Sequence, residues 1–230
     1  MNTKNIKEIL SRDLEPLFVE KGFKTKNESQ LVFSYYAEKK DVTYAVDGHL
    51  LKYNDYVLVY HFYFGIKKVV EHLREIDRVV PLDSNKYTVS NSLITISPGV
   101  VLFPKETDRA YKSFDSDFKL KLILFDIQVF YQDFYLPFCN KFSDIKQLDK
   151  LFNRLDDFRT DSSIFPGLAF FYVTRLIIAR MANNPDYDEV VERNFQILEA
   201  EFRKFGGTYD RNDETQPVVF AAKYLRDLKV

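Results

Sequence analysis

Apolar positions recur along this chain at helical spacing, then at alternate residues, then at helical spacing again. Ile6, Leu10, Leu14 and Leu17 fall three or four apart, which predicts a helix over 5–21. Pro16 lies inside it, where it either bends the helix or marks a break after a first short one. From Gln30 to Ile66 the period becomes two. Leu31, Phe33 and Tyr35 share one face of a strand, and Val42, Tyr44 and Val46 one face of the next. Asp47-Gly48 and Asn54-Asp55 read as the turns between strands. Tyr56–Ile66 is the clearest strand, with Phe62 and Phe64 on one side and His61 and Tyr63 on the other. Both sides are largely apolar, which predicts an inner strand covered on one face and partly on the other. Lys68–Ile76 fits either a helical face or more sheet. Further short strands are expected at Tyr87–Val89, Leu93–Ser97 and Val100–Phe103.

After Thr107 the helical period returns. Phe118–Phe138 is apolar almost all round, which predicts a helix buried in the middle of a domain and ended or kinked at Pro137. A helix over 144–158 capped by Ser143 follows, then Phe165–Ala182 with Pro166 in its first turn. Val191, Phe195, Leu198, Phe202 and Phe205 mark the face of the next helix, stopped by Gly206-Gly207. Pro217–Leu228 closes the chain as a short helix. The expected fold is α+β: an N-terminal helix, a mostly antiparallel sheet, then a helical C-terminal half packed on it. One domain over 1–230 is expected. The charged stretch Lys105–Phe118 is where a subdivision into 1–106 and 107–230 would fall.

Gly22 suits the left-handed position that ends a helix, and Phe23 then packs back on the last turn. This helix ending in Gly22-Phe23-Lys24, followed by the aromatic-rich strand Gln30–Tyr36, is similar to the opening of uncharacterised bacterial domain-of-unknown-function families. The resemblance covers roughly the first third of the chain and implies no established activity. By analogy it is compatible with an antitoxin or immunity role.

Charge removes one class of function. The 33 basic and 34 acidic residues leave a net charge of −1, without the basic footprint of a nucleic-acid binder. Cys139 is the single cysteine, so no disulfide closes within the chain and a reducing compartment is expected. The first residues lack the apolar core of a signal peptide. Lys121, Asp126 and Asp133 interrupt the longest apolar stretch, which argues against a membrane span. The expectation is a cytoplasmic protein.

The candidate chemistry is sparse. With 7 glycines and no phosphate-cradling run, a nucleotide cofactor is not expected. His49, His61 and His72 fall in a turn, a strand and an ambiguous segment, without the spacing of metal ligands on one helical face, and no metal is expected. His61 beside Tyr63 is the weak catalytic candidate, since an imidazole on a rigid strand suits general-base work. Its blander role is a histidine hydrogen-bonded across the sheet. Cys139 reads as a small core side chain, and the pairs Asp115/Asp117, Asp156/Asp157 and Asp186/Asp188 as structural. Tyr35, Tyr36, Tyr44, Tyr53, Tyr56, Tyr60 and Tyr63 cluster in the sheet, as packing or as an interaction surface. The function expected is non-catalytic binding of a protein partner. The alternative is a hydrolase or small-molecule-binding enzyme with its site between the sheet and the helices. The sequence leaves the oligomeric state open.

Overall fold

The protein is described by a computed structural model over residues 2–25, 32–82, 94–96, 111–154 and 168–228, and every statement of absence below concerns those residues. The strands expected at Tyr87–Val89 and Val100–Phe103 lie outside them, as does Pro166. The fold is α+β, with an N-terminal helix, an antiparallel sheet and then a helical half. The chain gathers into two compact units, Met1–Gly65 with Ile94–Lys141, and Ile66–Leu93 with Phe142–Val230. The helix after Ser116 belongs to the first unit, with the sheet.

In the first unit, helix α1 (Thr3–Val19) begins where Asn2 accepts the Asn5 N–H at 2.9 Å, and it buries Ile6, Leu10, Leu14 and Phe18. It runs through Pro16, which stays exposed. Gly22 ends it at φ +85°, with the Phe23 N–H donating to the Phe18 carbonyl at 3.0 Å. A Cβ at Gly22 would touch nothing within 4 Å, so the glycine is needed for its backbone angle alone. Phe23 packs edge-on against Phe18 at 5.5 Å, as the sequence predicts.

The sheet contains β1 (Lys24–Thr25), β2 (Phe33–Lys39), β3 (Val42–Lys52), β4 (Tyr56–Ile66), β5 (Ile94–Ile96) and β6 (Tyr111–Phe114). The order is β1-β2-β3-β4-β5; β5 pairs with Phe62–Phe64 of β4, and β6 with Tyr56–Val59. Strand β6 falls where the sequence suggests an irregular boundary. Asp47-Gly48 is not a turn; it lies inside β3, and the β2–β3 turn is Lys40-Asp41. Gly48 faces Phe33, whose ring stands 2.3 Å from where a Cβ would be. The glycine marks a close approach of a ring to the backbone, not a reversal.

One sheet face is core: Tyr35, Val46, Tyr60, Phe62 and Phe64 are buried. Helix α3 (Asp117–Phe130) passes into a single π-helical segment, Tyr131–Tyr135, and on into α4 (Leu136–Phe142). Pro137 therefore does not end the helix. The Leu136 N–H reaches back to the Tyr131 carbonyl across the wider turn, and the proline follows it, where its missing donor disturbs the ladder least.

The second unit is helical: α2 (Lys67–Val79), α5 (Ile145–Phe152), α6 (Leu168–Met181), α7 (Tyr187–Lys204) and α8 (Pro217–Asp227). Lys68–Ile76 proves helical, burying Val69, Val70, Leu73 and Ile76. Asp144, rather than Ser143, caps α5 by accepting the Lys146 N–H at 2.9 Å. Helix α6 touches the other four and is buried at every position from Phe170 to Ala179. The buried face of α7 is Tyr187, Val190, Val191, Asn194 and Leu198: Val191 and Leu198 of the expected face are buried, Phe195 is half-buried, and Phe202 and Phe205 are exposed. The loop after α7 meets Phe195 and Phe202. Arg211 lies over the Phe195 ring at 5.4 Å and pairs with Glu192 at 2.7 Å, and Tyr209 meets Phe202 edge-on at 5.3 Å.

Two stability outcomes follow. Ile127 is fully buried, so Ile127→Ala should cost about 2–5 kcal/mol, while Leu122→Ala on the open side of the same helix should change stability by less than about 0.5 kcal/mol. Equal losses in denaturant unfolding would contradict this burial. Gly22→Val should cost about 1–2 kcal/mol through its left-handed backbone angle, and an unchanged midpoint would show that the angle relaxes freely.

Candidate functional site

The β2–β3 register sets Ser34 opposite Asp47, which places both on the sheet face away from the Phe33–Tyr35 side. His49, His61 and Tyr63 share that second face by alternation. The Ser34 hydroxyl donates to an Asp47 carboxylate oxygen at 2.6 Å. The His61 and Tyr63 rings stand 6.1 Å apart, both half-buried. Burial lowers the His61 pKa below its ordinary value, and His49 adds to the effect. Burial, and then the Asp47 charge, push the Tyr63 phenol up to about 12. Both side chains are therefore neutral near pH 7.

A general base needs a group that orients it. The buried Nδ1 of His61 has no hydrogen-bond partner, so neither the orienting contact of a catalytic dyad nor a cross-sheet hydrogen bond forms at that atom. The tyrosine cluster is mostly packing: Tyr35 and Tyr60 are buried, Tyr44, Tyr56 and Tyr63 half-buried, and only Tyr36 and Tyr53 exposed. Cys139 is buried, and burial raises its pKa far above a reactive thiol's, as befits a core side chain. Asp115 pairs with Lys119 and Asp188 with Arg226, both on the surface; Asp156 and Asp157 lie outside the described residues. His49 sits within β3 rather than in a turn. No group of three or more His, Cys, Asp or Glu gathers in a way that could hold a metal ion among the described residues.

Two polar clusters in the helical unit escape sequence reading. His72 Nδ1 lies 3.0 Å from the Tyr224 hydroxyl and 3.3 Å from Glu75, and that hydroxyl donates to the same Glu75 oxygen. With the Tyr224 proton committed to Glu75, His72 must donate through Nδ1. The Tyr224 hydrogen bond, more than His72, lowers the Glu75 pKa. Phe220 stacks on Tyr224 at 6.3 Å and also lines a shallow cleft of about 390 Å³ with Val79, Val80, Pro81, Glu214 and Thr215. His72 and Glu75 stand three apart on α2, but Tyr224 is distant in sequence and only the tertiary packing brings it in.

The other cluster surrounds Arg175, which is fully buried on α6. It donates to Asn153 Oδ1 at 3.2 Å and to the Phe152 carbonyl. Asp149 accepts from Asn153 and from Asn184, each at 2.8 Å. Burial lowers the Arg175 pKa to about 9 and raises that of Asp149. Both shifts run in the direction that desolvation dictates, so this network organises the helix junction at a cost in charge burial.

The largest departure from expectation is on α3. Its apolar sequence predicts burial all round, yet Phe118, Leu122 and Phe125 are 71%, 51% and 62% exposed. Steps of four and three put these side chains in one ridge along the helix. Lys119 and Asp126 flank the ridge on its same side, seven residues apart. Single exposed apolar residues are ordinary, whereas three in succession along one helix face form an apolar ridge on the surface.

Comparison with family models, with curated proteins and with solved structures found no match to this chain. No helix among the described residues is long and apolar enough to cross a membrane.

The state of His61 is measurable. A histidine whose folded pKa is depressed is neutral in both states above its unfolded value, and its contribution to stability is lost as pH falls through the folded value. The thermal midpoint should therefore fall more steeply for wild type than for His61→Gln between about pH 7.5 and pH 5. Parallel profiles would show that His61 is solvated like an unfolded histidine.

Proposed function

We propose that this protein works by docking a protein partner and carries out no chemistry of its own. The observation that supports this is the ridge of Phe118, Leu122 and Phe125, three large apolar side chains held open to solvent on a rigid helix. Docking on such a ridge follows the helix-in-groove pattern, with anchors at steps of three and four and charges at the rim. Antitoxin or immunity action is one form such docking takes, and the single buried cysteine suits a reducing cytoplasm. A small-molecule site is the second reading. What favours it is the cleft beside the His72–Glu75–Tyr224 cluster, not anything around His61.

The test places a photo-crosslinking residue at position 125, with position 4 on exposed α1 as the control. A discrete protein adduct is expected from 125 and none from 4. Phe118→Glu should abolish the adduct while leaving the unfolding free energy within about 0.5 kcal/mol of wild type. No adduct at 125, or one indifferent to Phe118→Glu, would remove the ridge as a docking site.

A further inference from the structure

Resting on that reading of α3, we propose that the ridge docks a second copy of this chain, antiparallel, about a two-fold axis at Leu122. The ridge and its charged flank are self-complementary. A two-fold axis perpendicular to two antiparallel helices brings the same flank of each copy together. With the axis at Leu122, that residue meets its own copy and Phe118 of one chain meets Phe125 of the other. The flanking charges fall into the same register: Lys119 of one chain meets Asp126 of the other, and the pair occurs twice. Pairing the apolar positions requires sequence numbers that sum to 243 or 244, and pairing the charges requires 245. With the axis register at 244, each of the other two pairings is displaced by one residue, about 1.5 Å along a helix, and the apolar and charged pairs by two from each other, within the reach of a lysine side chain.

The spacing of the flank follows from the spacing of the ridge; the opposite signs of Lys119 and Asp126 do not, and they are what makes the flank complement itself. Lys119 already pairs with Asp115 at 2.8 Å, but both are half-exposed or more. Such a surface bridge is worth little and exchanges readily for a contact sheltered beside an apolar seam. Arg12 and Asp13 of α1 line the opposite flank: Gln128 donates to the Asp13 carbonyl at 3.5 Å. The flank with Lys119 and Asp126 is thus the one turned away from α1. A seam of little more than two turns is short, so the expected association is reversible and depends on concentration.

Sedimentation and cysteine crosslinking test this. Wild type should pass from monomer to dimer as chain concentration rises to about 1 mM. Lys119→Asp and Asp126→Lys should each weaken the dimer about tenfold or more by setting like charges together, and the double variant Lys119→Asp/Asp126→Lys should return it to within about threefold of wild type. Leu122→Cys should give a disulfide-linked dimer under mild oxidation. Phe118→Cys should not, because its copy lies about 12 Å away along the axis, beyond disulfide reach. Cys139 is buried and stays silent. A wild type that remains monomeric throughout, or a double variant no better than the singles, overturns the self-pairing. The docking reading then stands or falls on the crosslink from position 125. A dimer indifferent to Phe118→Glu and to both charge reversals overturns this proposal and shows that self-association uses another surface.

Discussion

The first unit depends on one buried contact set, the rings of Tyr131 and Tyr135 against the sheet. Tyr135 is fully buried, its ring 4.9 Å from Phe62, and its hydroxyl donates to the Tyr63 carbonyl at 2.6 Å. Tyr131 touches Phe18 of α1 at 4.9 Å and Phe62 of β4 at 6.4 Å. Helix α1, the sheet and the α3–α4 rod therefore meet at these two residues, and both belong to the π-helical segment. The widened turn lets the Tyr135 ring and hydroxyl both reach β4, whereas the Tyr131 hydroxyl is buried without a partner and that residue contributes by ring packing alone. The same turn absorbs Pro137. One local irregularity thus serves packing, hydrogen bonding and the continuation of the helix.

That arrangement also accounts for the exposed ridge. A helix laid on a sheet buries one broad stripe, here Leu120, Ile123, Leu124, Ile127 and Phe130. Residues on the far side receive no cover from the sheet, whatever their type. The α3 sequence is apolar on both sides, so fixing the buried stripe through Tyr131 and Tyr135 leaves Phe118, Leu122 and Phe125 outward. The apolar composition of the helix marks two surfaces, and the sheet accounts for only one of them.

What could be read in the sequence was whatever a local pattern determines. The α1 stop at Gly22, the strand Tyr56–Ile66 and the succession of helix, sheet and helices each follow from neighbours in the chain. Asp47-Gly48 misled because glycine answers two demands with one residue, a reversal or a close approach, and Phe33 across the sheet decides which. The α7 face misled in part because Phe195 and Phe202 meet Arg211 and Tyr209 of the loop beyond, and not the core that the helical pattern assigns them to. The candidate site was legible only as residue types. Alternation placed His61 and Tyr63 on one face, but whether a third group orients the histidine is a tertiary fact.

Buried polarity in the second unit bears on function as well as on folding. Arg175 sits among apolar residues of α6, held by Asn153, the Phe152 carbonyl and the Phe171 ring at 5.2 Å. An arginine in such a place marks an active centre when it faces a cleft and a structural latch when its donors end on the protein itself. Here its contacts end on the chain, and its neighbour Asp149 is occupied by two asparagines. The cleft lined by Phe220 is bordered by other residues. Among the described residues Arg175 and Asp149 are committed to structure and His61 Nδ1 has no positioning partner, while His72, Glu75 and Tyr224 hold one another near the cleft. Large apolar side chains, by contrast, are left uncovered in register along α3. Catalysis requires groups held in fixed relation to one another, whereas docking requires only a rigid surface whose burial has been deferred. The ridge on α3 is rigid and uncovered in that sense, and the His72–Glu75–Tyr224 cluster is the set of polar groups held in fixed relation.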